Sequence, residues 1–241
     1  MAGTSESDYT QTMNTPNMVF HDFWATRFYG FPWPEHGKYA AKIIQYLYEL
    51  RDQQQTLIDS GIAANSKSAQ GLFESKFDLL EHDQPDLRKL RQFIHNSVQQ
   101  AVSHVNGEKY SPDRIDVTFK DSWYHITNDG GFHDTHVHGG CSWCGIYYLQ
   151  IGDSATQPGG AAPNGGNRFY SPLMAGGAHG DYGNAYMRGI SVDPPLQNGM
   201  LLLFPSYLKH SGLPYNGDAD RVIISFNSCS YLKKGTGARP S

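Results

Sequence analysis

The sequence is short of cysteine, of charge and of long apolar runs, and each shortage removes a class of protein. Its three cysteines, Cys141, Cys144 and Cys229, are too few and too clustered for the disulfide framework of a small secreted domain. Lys and Arg number 19 against 23 Asp and Glu and are scattered, so no basic footprint for nucleic acid stands out. No run approaches the ~18 apolar residues of a spanning helix. The first residues, M-A-G-T-S-E-S-D-Y-T-Q-T, lack the charged and apolar regions of a signal peptide. The expectation is a soluble, cytoplasmic protein with neither a nucleic-acid nor a membrane partner. Oligomeric state carries no signature.

Aromatics, glycine and proline are plentiful instead. With 26 Gly, 13 Pro and 13% aromatic residues, the composition suits a loop-rich β protein better than a helical one. A chain of 241 residues can hold one domain with a substantial core. Residues 1–16 are small and polar and read as a disordered tail. A short strand at 18–20 and a prolyl turn follow. Tyr39, Ile43, Tyr46, Leu47 and Leu50 then keep helical spacing, which predicts a helix over 34–60. Leu87, Leu90, Ile94, Val98, Ala101, Val102 and Val105 make a second stripe, with Asp83 as a candidate cap and Pro85 in the first turn.

Beyond 110 the pattern changes to short β-branched and aromatic segments. Strands are predicted at 115–119, 122–127, 135–138, 145–151, 200–204 and 221–228, with a further one at 185–190. Residues 152–197 form a long Gly- and Pro-rich loop of the kind that carries function. His179, Tyr182, Tyr186 and Arg188 in it are candidate substrate contacts.

The chemistry centres on W-Y-H-I-T-N-D-G-G-F-H-D-T-H-V-H. On an extended backbone His136 and His138, two residues apart, face the same side and can offer two imidazoles to one ion. A third is available in L-L-L-F-P-S-Y-L-K-H, ending on His210. Imidazole suits Zn, Cu, Fe and Ni, so the histidines alone do not name the metal. Arg221 then opens R-V-I-I-S-F-N, where period two puts it on one face with Ile223, Ser225 and Asn227, and Val222, Ile224 and Phe226 on the other. An inward arginine needs an anion, and a carboxylate matches its fork best.

H-V-H-G-G-C-S-W-C-G-I-Y-Y-L, G-M-L-L-L-F-P-S-Y-L-K-H-S-G-L-P-Y and R-V-I-I-S-F-N, in this order and spacing, resemble the 2-oxoglutarate/Fe(II)-dependent oxygenases. The pattern is that of a group with H-x-H, S-G-v-Y-Y-l, F-P-s-w-l-x-H and R-i-s-I-S-F-N motifs. A-N-S-K-S-A-Q-G-L-F is similar to that group's S-N-x-x-G-W-q-S, so the resemblance covers roughly 60–230. It implies a mostly β fold: a double-stranded β-helix (jelly-roll, cupin-like) of two four-stranded sheets, with an N-terminal helical layer packed on one of them. Residues 17–241 would be one oxygenase domain, helical over 17–110 and β over 111–232. The implied cofactors are Fe(II), 2-oxoglutarate and O2. The implied reaction is hydroxylation of an unactivated C–H bond in a small molecule, amino acid or peptide, with release of succinate and CO2. His136, His138 and His210 would hold the metal. Arg221 would take the distal carboxylate of 2-oxoglutarate with the hydroxyl of Tyr148. Ser225 and Asn227 would serve that pocket or the substrate.

The chain departs from the usual two histidines and a carboxylate by having His138 at the acid position. A neutral imidazole there leaves the metal one charge more positive, which tightens an anionic co-substrate. Asp134 is the alternative carboxylate. C-S-W-C supplies only one of the two cysteine pairs that zinc signatures use, and Cys229 reads as a core residue. His133 falls on the opposite strand face from His136, and His125 and Trp123 read as supporting residues. Two other functions remain on this reading: a three-histidine cupin-type dioxygenase without 2-oxoglutarate, and a non-catalytic metal-binding β-barrel module. Arg221 has no assigned partner in the first, and the second leaves four costly polar groups without a ligand.

Overall fold

The computed structural model describes residues 26–60, 71–154, 163–172 and 190–233. The expected tail, the strand at 18–20, most of the one at 185–190, and His179, Tyr182, Tyr186 and Arg188 lie outside them.

After β1 (Tyr29–Pro32) the two prolines turn the chain into α1 (His36–Asp59), which buries Tyr39, Ile43 and Leu47 at four-residue intervals. The second helix, α2 (Pro85–Val105), buries Leu87, Leu90, Ile94, Val98 and Ala101 along the expected stripe. Its cap is Gln84, whose side-chain oxygen accepts the Leu87 N–H at 2.5 Å. Asp83, the expected cap, is drawn to Arg88 instead.

Two antiparallel sheets follow. The larger runs β1, β8 (Met200–Pro205), β5 (Trp143–Gln150), β10 (Arg221–Leu232), β3 (Ile115–Thr127), β2 (Leu72–Glu74). The smaller runs β4 (Gly131–His136), β9 (His210–Tyr215), β6 (Asn167–Tyr170), β7 (Ser191–Val192). The sheets are therefore six- and four-stranded rather than four and four, because β1 and β2 extend the edges of the larger. The two strands expected at 115–119 and 122–127 are one. Opposite β10 the register passes from Asn227↔Asp121 to Ser228↔Phe119, so Lys120 is absorbed as a bulge.

Alternation along β10 sorts the interior. Val222, Ile224 and Phe226 join the helices' apolar stripes in one core, while Ile223 packs with Tyr148, Leu202, Phe204 and Phe169 between the sheets. Each fully buried aliphatic side chain contributes about 1.5–3 kcal/mol relative to exposure, so the helical layer anchors the larger sheet. Cys229 lies past this core and is only half-buried, because the last residues of β10 run out to the surface.

The passage from β3 to the smaller sheet is a tight turn. Gly131 N–H donates to the Asn128 carbonyl at 2.7 Å, with Asp129 and Gly130 at φ 49° and 78°. Positive φ at both central residues marks a type I′ turn and explains N-D-G-G. A Cβ on Gly131 would lie 2.1 Å from the Gly71 carbonyl oxygen, so this approach tolerates only glycine.

Candidate metal centre and active site

The facing surfaces of the two sheets enclose a cavity of about 340 Å³, and both sheets contribute to its lining. On the smaller sheet His136 is the direct cross-strand partner of His210, their ring centroids 4.3 Å apart. His138 lies just past the end of β4, held by its backbone N–H to the Ser206 carbonyl at 3.1 Å. The three rings offer one nitrogen each, all within 4.8 Å of one another.

Hydrogen bonds select the tautomers. The Nδ1–H of His136 donates to the Asp134 carbonyl at 2.6 Å and that of His210 to the Leu208 carbonyl at 2.9 Å. A carbonyl can only accept, so each Nε2 keeps its lone pair, as a metal ligand must. Burial, reinforced by the neighbouring imidazoles, pushes His210 down to about 3 and His138 down to about 4, and lowers His136. All three are therefore neutral at pH 7, in the ligating form.

Asp134 is not part of this group. Between His133↔Gly212 and His136↔His210 the register shifts by one residue, a bulge in β4 that turns Asp134 out to solvent. The same bulge corrects the expectation for His133. Its ring is brought beside that of His136, 4.2 Å between centroids, instead of to the opposite face.

Arg221 opens β10 from the larger sheet, 4% exposed, and lines the same cavity. Its Nη2 donates to Asn167 Oδ1 at 2.7 Å, and the Tyr148 hydroxyl donates to the same oxygen at 2.9 Å. Tyr148 is absent from the cavity lining; its ring lies against the guanidinium, 5.6 Å from centroid to Cζ. The Nε of Arg221 and the hydroxyl of Thr127, its cross-strand partner, are buried and find no hydrogen-bond partner among the described residues. Buried donors without acceptors are rare and costly. Both belong to cavity-lining residues.

Ser225 and Asn227 also line the cavity. At ~3.3 Å per residue, Asn227 is roughly 20 Å along the strand from Arg221, so the two cannot grip one carboxylate. Asn227 accepts from Cys144 Sγ at 3.1 Å and donates to Asp121 at 3.2 Å. Cys141 and Cys144 are free thiols and join no histidine donor group among the described residues.

A second polar cluster has no sequence motif of its own. Glu74 on β2 sits directly across from His125 on β3, Oε2 to Nε2 2.8 Å, with the Nε2 of His133 3.7 Å from the same oxygen. Burial alone would raise Glu74, but the two imidazoles outweigh it and hold the carboxyl at about 2. Thr127, Asn167 and Glu74 were invisible to motif reading because each earns its place through partners distant in sequence.

Residues 121–227 match a family model described as "Putative 2OG-Fe(II) oxygenase". No curated protein matches the sequence. Among solved structures, the carbocyclase SnoK from nogalamycin biosynthesis is 12% identical, with TM-score 0.54 over 88% of this chain and 84% of that one. The epimerase SnoN from the same biosynthesis is 15% identical, TM-score 0.53, over 89% and 85%. A prolyl hydroxylase from Trichoplax adhaerens is 16% identical, TM-score 0.51, over 84% and 83%. At these identities the likeness is one of fold, the jelly-roll of the 2OG-Fe(II) oxygenases. The matched stretch holds the histidine triad, Arg221 and both unpartnered donors, and in it the chain is similar to the 2OG-Fe(II) oxygenases.

Proposed function

We propose that His136, His138 and His210 hold the Fe(II), that Arg221 and Thr127 bind the distal carboxylate of 2-oxoglutarate, and that the enzyme hydroxylates a C–H bond. The balance is R–H plus 2-oxoglutarate plus O2 giving R–OH, succinate and CO2. The observation that carries this reading is the pair of unpartnered donors, Arg221 Nε and Thr127 Oγ1, in the cavity that also holds the three imidazoles. A carboxylate satisfies both, and a guanidinium binds it with charge-assisted bonds.

The donor set fits the metal: three neutral imidazole nitrogens suit a first-row divalent ion. Bound there, Fe(II) would supply O2 activation coupled to decarboxylation of the co-substrate. The protein's own residues do the rest. Asn167, fixed by the Tyr148 hydroxyl, orients the guanidinium, so Tyr148 acts through Asn167. Phe204, packed on the His210 ring at 4.8 Å, shields that side from water. Ser225 and Asn227, toward the other end of the cavity floor, are the polar groups left for substrate. A cavity of about 340 Å³ suits a small molecule, or an amino acid or peptide side chain.

The test is an anaerobic titration of metal-free protein with Fe(II) and then 2-oxoglutarate, followed by visible absorption. A weak charge-transfer band that disappears in His210→Ala and in Arg221→Ala is the expected result. Iron binding without a band at saturating 2-oxoglutarate would favour the three-histidine dioxygenase. Failure to bind iron would sink the assignment of the triad.

A further inference from the structure

We infer that Glu74, His125 and His133 form a second divalent transition-metal site on the wall of the same cavity. The three come from three strands, β2, β3 and β4, and offer donor atoms within 4.8 Å of one another. For metal–nitrogen bonds of about 2.0–2.1 Å, tetrahedral ligands stand roughly 3.3 Å apart. The separations here, 2.8 Å from Glu74 Oε2 to His125 Nε2 and 3.7 Å to His133 Nε2, straddle that value.

Proximity alone would also suit a hydrogen-bonded cluster. The fixed polarity of the surrounding partners argues further. His133 Nδ1–H donates to the Asp134 carbonyl at 3.2 Å, which can only accept. In the neutral ring Nε2 then carries the lone pair, so its approach to the Glu74 carboxylate is held either by a proton or by a cation. His125 Nε2 meets the Trp123 indole N–H, which can only donate, at 3.2 Å. The same nitrogen stands 2.8 Å from Glu74 Oε2, which can only accept, so one Nε2 faces a donor and an acceptor and no single tautomer serves both. A cation between Glu74 Oε2 and the two Nε2 atoms would be held by the carboxylate and both imidazoles in the place that a proton otherwise takes. One carboxylate and two imidazoles are a donor set used for zinc and for non-haem iron.

Access is open on one side. Glu74 and His125 are buried, whereas the His133 side chain is 32% exposed and all three line the cavity. An ion held here would keep a position facing the cavity for water or an anionic group of a ligand. His133 also touches the His136 ring, so the two donor groups are immediate neighbours.

The experiment is a Zn(II) titration of the metal-free, full-length protein against a chromophoric chelator. The variants are His133→Ala, His210→Ala and the double substitution, with circular dichroism to check the fold. His133 is chosen over Glu74 because replacing a half-exposed ring does not strand a buried group. Wild type should bind two equivalents, each single variant one and the double variant none. A loss with His133→Ala but not with His210→Ala would support this site and count against the triad. If His133→Ala binds as many equivalents as wild type, protons hold the cluster together and the inference is overturned.

Discussion

The larger sheet is buried on both faces along most of β5, β8 and the first eight residues of β10, backed by α1 and α2. The smaller sheet has shorter strands, a bulge in β4, and outward positions open to solvent at Phe132, Asp134 and Val192. The histidine triad sits on the smaller sheet, and the buried guanidinium on the larger. On the proposed site, stability and ligation are thus divided. The well-packed layer holds the main apolar core and the buried guanidinium. The thinner layer supplies the neutral imidazoles that, under the proposed assignment, a bound ion would itself draw together.

Removing a ligand from the thin sheet should produce the largest effect on function and a small one on stability. His210→Ala is expected to abolish 2-oxoglutarate-dependent succinate formation, well beyond the ~10–100-fold that a supporting residue costs. Its melting temperature should stay within a few degrees of wild type. A variant that unfolds instead would show that the smaller sheet carries more of the stability than its packing suggests.

The converse substitution lies in the helical layer. Leu90 is fully buried in the core behind the larger sheet. Leu90→Ala should cost about 2–5 kcal/mol in denaturant unfolding. The folded fraction should keep its kcat, because Leu90 lines no part of the cavity. A kcat that fell with stability would mean that helix packing tunes the site.

How far the sequence revealed this division differs between the sheets. α2 and β10 were readable because each pattern repeats on its own period, 3.6 or 2, and burial follows the period. His136, His138, His210 and Arg221 were readable because their residue types suggest a purpose in any context. The bulge that exposes Asp134 and turns His133 inward was not. One extra residue in a strand shows only against its partner strand, and β9 lies more than seventy residues away. Short β2, β6 and β7 escaped for a related reason: two to four residues carry no period. Glu74 and Thr127 look like ordinary strand residues until their neighbours are known.

Acid should also separate the two sheets. In metal-free protein His210 and His138 are held at about 3 and about 4, below the ordinary 6.5 of an unfolded histidine. Below pH 6.5 the unfolded chain therefore binds more protons than the folded one, and stability falls as pH drops toward 4. Melting temperature should decline by several degrees from pH 7 to pH 5. The decline should be shallower in His210→Ala. An unchanged slope would place the titrating groups elsewhere, in the helical layer for instance, where burial also lowers His36.

The smallest expected effect tests the imidazole at the acid position. Its backbone is tied by the Ser206 carbonyl whatever the side chain, so His138→Asp can be made without moving the strand end. The substitution restores two histidines and a carboxylate and removes one unit of net positive charge. Fe(II) should bind at least as tightly, since a carboxylate is a good ligand for it. The dianionic co-substrate should bind more weakly, by about tenfold, because a single charge a few ångströms away is heavily screened at a protein's effective dielectric. Arg221, on the other sheet, is untouched and keeps most of the affinity. The Kd of 2-oxoglutarate, from the anaerobic charge-transfer titration, decides it. If that Kd does not rise, His138 contributes no charge deficit at the metal, and the departure from the two-histidine–carboxylate pattern has no electrostatic consequence for the co-substrate.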